Sequence, residues 1–526
     1  MDSQILERPK LKSKTQDATK VLDSVIIGSG FAGLCMGIRL KKAGIKSFVI
    51  FEKAESIGGT WRDNTYPGAA CDVESHLYSF SFEPRSSWSR QFGPQKEILN
   101  YMNYCADKYG LRPYICTNSG VTGAYFDEIT GLWEVATESG EKFKARTVVS
   151  GTGGLSRPVL PNIKGIDQFK GAKFHSARWD HEYDLKGKTV AVIGTGASAI
   201  QIVPAIAPTV SKLLLFQRTA PWILPKLDAK IAKPVRLLFK FVPPFRWVFR
   251  KLLYWMHEIG VVAFAIHPKI MKTFEKLGRR YIAKKIQDPI LQKQVTPNFT
   301  IGCKRVLLSN DYYPALTREN VSLIPHGIVA VTKNGVIGSD NVEHKVDAIV
   351  FATGFQAAEA TPPFEVKGKN QMDLADIWKN GPEAYLGTCV SGFPNFFMIV
   401  GPNTGLGHSS MILMIESQAQ YILQCIRSLR KKNVKYLDVK QSAQDKFNRE
   451  IHDRLAKSVW STGGCVSWYN TQSGKNTTLW PGFTFEFKAR TYFLKTSDFE
   501  FVRTNGEKES LSFGTRFSLL AGSPFF

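Results

Sequence analysis

Nowhere does this chain offer the ~20 consecutive apolar residues that a membrane-spanning helix needs; in its most aromatic region the longest clean apolar run covers only residues 259–266. Residues 1–20 are polar and charged and lack the apolar core of a signal peptide, so they read as a mobile lead-in to the first strand. The eight cysteines form no CxxC pair and no zinc-like grouping. That spacing argues against a dithiol reductase or a metal site, and free thiols in a reducing, cytoplasmic setting are the simplest expectation. No repeat with a period of about 20–50 residues and no low-complexity tract is present, which excludes solenoids and tails. Acidic residues are also short, 45 against 69 Lys and Arg, for a net charge of +24.

That charge is unevenly placed. Residues 226–293 hold 16 Lys or Arg against four Asp or Glu, interleaved with aromatic and aliphatic side chains. No nucleic-acid-binding module accompanies them, so nucleic acid is not an expected partner. The segment reads as a helical insert that packs its apolar face on the protein and leaves its lysines solvated; contact with an anionic membrane surface is the less favoured reading.

A chain of 526 residues, 43% hydrophobic, can bury two or three cores. The first begins with the apolar run Val25-Ile26-Ile27, then Gly28-Ser29-Gly30-Phe31-Ala32-Gly33, then a helical pattern. Strand, tight glycine turn and helix in that order form a dinucleotide site, because a pyrophosphate can approach the bare backbone and meet the amide end of the helix. A second strand ends in Glu52, about 20 residues on, where a ribose-binding acid belongs. The second core repeats the plan with Gly194-Thr195-Gly196-Ala197-Ser198-Ala199. Its next strand ends in Gln217-Arg218-Thr219, and an arginine in place of the acid suits the 2′-phosphate of NADPH.

These patterns predict an α/β fold with two Rossmann-like dinucleotide-binding domains and a basic helical insert. The expected boundaries are a first domain over 21–155, a second over 156–225 and 303–388, the insert over 226–302, and a return to the first domain over 389–526. Two nucleotide sites on one chain imply redox chemistry.

Two longer patterns sharpen this. One is Gly58-Gly59-Thr60-Trp61 through Tyr66-Pro67-Gly68 to Asp72; the other bridges the two glycine turns, with Phe169, Gly171, His175, Trp179 and Asp180 at every fixed place of FxGxxxHxxxW followed by Pro or Asp. Over about residues 21–485 the chain resembles the type I Baeyer–Villiger monooxygenases. The resemblance implies FAD on the first turn, NADPH on the second, and insertion of one atom of O2 beside a small ketone's carbonyl, giving an ester or lactone through a flavin C4a-peroxide and a tetrahedral adduct. It implies that Arg305, preceded by Lys304, stabilises the anion and that Asp72 holds Arg305. Thr60, Trp61 and Tyr78 would line the flavin, Lys304, Arg218 and Thr219 would grip the 2′-phosphate, and Met411 would border the cofactor or substrate. His175 reads as a hinge rather than an acid or base. The alternatives are a flavin monooxygenase that oxidises nitrogen or sulfur, which does not need the arginine, and a membrane- or anion-binding protein on a redox fold.

Overall fold

The computed structural model describes residues 21–356, 362–431, 434–503 and 508–509; the N-terminal lead-in lies outside them. Two five-stranded parallel sheets organise the chain. In the first, Ser24–Ile27 is the central strand, flanked by Phe48–Phe51 on one side and Val148–Ser150 on the other. Ile115–Cys116 and Phe396–Met398 form its edges. Every residue of Ser24–Ile27 is buried, as expected of a parallel strand covered on both faces. The helix Phe31–Lys42 returns across the sheet and ends on Arg39, Lys41 and Lys42, cations that suit the negative end of its dipole. The long helix Met411–Lys431 packs against it.

The second sheet has the order Val321–Ile324, Lys212–Phe216, Thr189–Ile193, Ala348–Phe351, Ala172–His175. The bridging pattern thus supplies an edge strand, with Phe174 beside Val350 and His175 beside Phe351. Glu365–Lys367 pairs with Val121–Asp127, so the chain is back beside the first unit before the expected boundary at 389.

The insert is helical, as Lys233–Phe241, Pro243–Val261, Met271–Lys285 and Pro289–Val295. Prolines open three of these helices within their first turn, where no amide is needed. Its packing departs from expectation. Phe239, Val261, Ala263 and Met271 are buried, but Trp247, Leu252, Trp255, Met256 and Ile259 stay exposed. The interleaving of bases and aromatics gives no sign that the helix Pro243–Val261 buries Glu258 and Val261 and turns Trp247, Leu252 and Trp255 outward.

The cysteines also depart from expectation. Cys303 and Cys465 form a disulfide across 162 residues, leaving six free thiols. Short-range spacing could not show a pair made by tertiary folding. Five of the six are buried, and burial pushes Cys35 up to about 12, which makes it unreactive.

Candidate active site

The first glycine turn has the backbone its sequence demands. Gly28 sits at φ +96°, and a Cβ there would lie 2.7 Å from the Gly151 carbonyl oxygen, so no other residue fits without displacing a strand end. The following helix starts at Gly30 with no side-chain cap and no acid in its first turn, leaving amides to face an anion. Ala32 and Gly33 lie inside that first turn, both buried.

Glu52 is buried at the strand end and accepts hydrogen bonds from Ser29 N–H (2.9 Å), Ser29 Oγ (2.7 Å) and Ala54 N–H (3.0 Å). Arg62 Nη1 lies 2.9 Å away. Burial opposes ionisation, but Ser29, Ala54 and Arg62 together outweigh it, so the carboxyl stays below its usual range and remains an acceptor.

The segment after Glu52 folds over this turn. Gly59 comes against Gly30, and the short helix Thr60–Asp63 follows. Trp61 Nε1 donates to the Tyr78 hydroxyl at 3.1 Å, and Tyr78 meets the Phe31 ring edge-on at 5.4 Å. Thr60, Trp61 and Tyr78 are thus gathered at the glycine-rich end of the first sheet. The segment then reaches the second unit: Tyr66 donates its hydroxyl hydrogen to Gln201 Oε1 (3.0 Å), and Gln201 Nε2 donates to Ala70 O (3.0 Å).

Asp72 stands two residues beyond that contact, and Arg305 Nε donates to its Oδ2 at 2.7 Å. Their side chains are 30% and 28% exposed, enough to be reached yet mostly removed from water. For Asp72, burial alone would favour the neutral acid; Arg305 and then Lys226 reverse that and hold the carboxyl below its ordinary value. For Arg305 the Asp72 charge dominates, raising an already permanent cation despite its burial. A further contact of Arg305, Nη1 to Leu406 O, is long at 3.5 Å.

Several neighbours were not visible in the sequence. Tyr469 is buried near the pair, and its hydroxyl has no hydrogen-bond partner of ordinary geometry among the described residues. Burial pushes it up to about 12 against the pull of Arg305. Lys226 Nζ donates to Cys71 O at 3.3 Å. His257, on the helix Pro243–Val261, bridges Glu74 Oε2 (2.6 Å) and His408 O (2.7 Å). These residues come from the insert and from distant loops, where no local spacing marks them. The disulfide lies beside Lys304-Arg305 and ties that loop to the segment around Cys465.

The second glycine turn repeats the first. Gly194 has φ +107°, with a hypothetical Cβ 2.6 Å from Ala352 O, whereas Gly196 faces open space. Ser198 precedes the helix Ala199–Ile206, which also lacks a side-chain cap. Thr195 Oγ1 donates to Thr219 O at 3.0 Å, fixing the two strand ends together. Arg218 is exposed there. Lys304 lies over the Phe299 ring at 5.0 Å and is lowered by burial and then by the Arg218 charge, so two cations crowd one place. Gln217 is different: it is buried, with its amide donating to Gln294 O in the insert. Met411 begins its helix partly buried against the first core.

His175 is buried at the strand end, and its Nδ1 accepts from Ala177 N–H at 3.1 Å. Trp179 packs edge-on to Phe174 at 5.0 Å.

A family model described as flavin-binding monooxygenase-like matches residues 20–366. A Baeyer–Villiger monooxygenase of Pseudomonas aeruginosa is 48% identical over 491 residues, 93% of each chain. Among solved structures, cyclohexanone monooxygenase from Rhodococcus sp. Phi1 bound to NADP+ matches with a TM-score of 0.83 at 28% identity, covering 92% of this chain and 99% of that one. OTEMO in complex with FAD and NADP matches with a TM-score of 0.82 at 28% identity, covering 91% and 99%. The doubled dinucleotide fold, the paired arginine and these likenesses agree: the chain belongs to the flavin-binding monooxygenase-like family, among its type I Baeyer–Villiger monooxygenases.

Proposed function

We propose that this chain holds FAD on the first glycine turn and NADPH on the second, and inserts one atom of O2 beside the carbonyl of a small ketone to give an ester or lactone. The observation that carries this reading is the Arg305–Asp72 pair, mostly buried where the segment from Thr60 to Asp72 meets the second unit. Both glycine turns offer uncapped helix starts of the kind a pyrophosphate requires. Arg218 and Lys304, two cations close enough for the one to lower the other, fit a 2′-phosphate.

When bound, the nicotinamide supplies hydride and the flavin supplies the activated oxygen. The protein's own part is charge and position. Arg305 holds the negative charge that develops on the ketone oxygen, acting through a fixed guanidinium rather than by giving up a proton. Asp72 spends one carboxylate oxygen on Arg305 Nε and so fixes the direction of the remaining donors. Trp61 and Tyr78 brace each other beside the first turn, and His175 closes the edge strand of the second unit.

The test is product identification from linear, cyclic and aromatic ketones with NADPH and O2 consumption followed together. Esters or lactones in step with NADPH are expected; sulfoxides or N-oxides alone, or hydrogen peroxide alone, would contradict the reading.

A further inference from the structure

The helix Pro243–Val261 has two unlike faces. Its inner face is fully engaged: Arg250 donates to the carbonyls of His76 and Ser79, His257 to Glu74, and buried Glu258 accepts from Thr484 N–H (2.9 Å) and Thr484 Oγ1 (2.5 Å). Its outer face carries Val248, Leu252, Trp255 and Ile259 at helical spacing, with Trp247 and Met256 alongside. Leu252 is 64% exposed and Ile259 69%. Phe485 extends the patch, its ring 6.0 Å from that of Trp255. A contiguous aromatic and aliphatic surface of this kind marks a site of interaction.

Charge decides what covers it. Residues 233–285 carry 13 Lys or Arg against two Glu, one of them the buried Glu258. Among the described residues the only ion pair this segment contributes is His257 with Glu74. Lys240 and Lys251 instead lie over Phe241 and Trp247 at 5.2 and 5.3 Å, cations beside the apolar crest. A second copy would set these unpaired cations against one another. No helix among the described residues is long and apolar enough to cross a membrane. Basic side chains flanking an exposed stripe rich in tryptophan, on a helix about 28 Å long, match a helix lying in the plane of a lipid headgroup layer.

We propose that the outer face of Pro243–Val261 docks on an anionic lipid surface, with Trp247, Leu252, Trp255 and Ile259 in the headgroup boundary and the flanking lysines and arginines on the lipid charge. The inner face holds the Glu74–Ser79 segment that follows Asp72, so docking would bring the membrane beside the active site.

Flotation of the full-chain holoenzyme with vesicles tests this. Capture is expected on phosphatidylcholine mixed with phosphatidylglycerol, falling with added salt, and at least about tenfold weaker on phosphatidylcholine alone. Leu252→Ser with Trp255→Ser should reduce capture about 100-fold, and Lys240→Glu with Lys251→Glu at least about tenfold at low salt. Both double variants should keep the parent's thermal midpoint, since all four side chains are exposed. Equal capture by the double variants, no capture of the parent, or a lipid-free dimer abolished by Leu252→Ser/Trp255→Ser would each overturn the proposal.

Discussion

Replacing Asp72 by asparagine probes the site while leaving its shape intact. The variant keeps one oxygen that can accept from Arg305 Nε but removes the carboxylate charge now 2.7 Å away. Two unit charges with centres ~4 Å apart attract by about 4 kcal/mol at an effective dielectric of 20. Breaking a fully buried pair costs about 3–5 kcal/mol and an exposed one about 0–1. With both side chains a little under a third exposed, a loss near 2 kcal/mol is the consistent figure. The catalytic cost is bounded by that of losing an oxyanion donor outright, about 100- to 1,000-fold. Asp72→Asn weakens the direction of Arg305 but keeps the cation, so ester formation should fall about tenfold to 100-fold while the KM for NADPH stays within about twofold. Denaturant unfolding and paired ester and NADPH rates give both readings. An ester rate within twofold of the parent, or an equal fall in NADPH-driven flavin reduction, would refute the positioning role.

Arg218→Ala should raise the NADPH requirement tenfold or more with little effect on NADH, by roughly the value of a charge-assisted contact; steady-state kinetics with both nucleotides checks it, and an unchanged preference overturns the phosphate assignment. His76 lies against Phe239 and Phe249, and burial, then Arg250 and Arg246, lower it to about 4. As pH falls below its ordinary value of 6.5 the unfolded chain takes up a proton that the folded chain refuses, so about 3 kcal/mol of stability should be lost between 6.5 and 4. His76→Phe should flatten that slope in unfolding curves; an unaltered slope would show that His76 does not cause it. Thiol titration of the denatured, unreduced protein should count six reactive cysteines and, after reduction, eight; eight before reduction would exclude the disulfide.

The glycine turns were readable because their whole signal is local: strand, turn and helix follow one another within about 20 residues, and a buried parallel strand has no polar face to confuse it. The pairing of Asp72 with Arg305, 233 residues apart, came only from likeness to a family, since no spacing rule reaches that far. The same limit hid Cys303–Cys465 and the approach of Tyr469 and Lys226 to the site. The sequence of the insert announced its helices and charge but not its outward face, because which face packs depends on distant polar partners such as Glu74 and Thr484, which meet His257 and Glu258. Gln217 stood in a cofactor position by pattern, yet its contact with Gln294 turns it into the insert.

The proposed chemistry depends most on Arg305 as the group that meets the ketone's developing charge. Its direct measurement is the ratio of ester formed to NADPH consumed by Arg305→Ala, with flavin reduction by NADPH followed in the same preparation. Reduction at the parent's rate with ester formation lowered at least about 100-fold is the predicted result; substantial ester formation by the variant would contradict it.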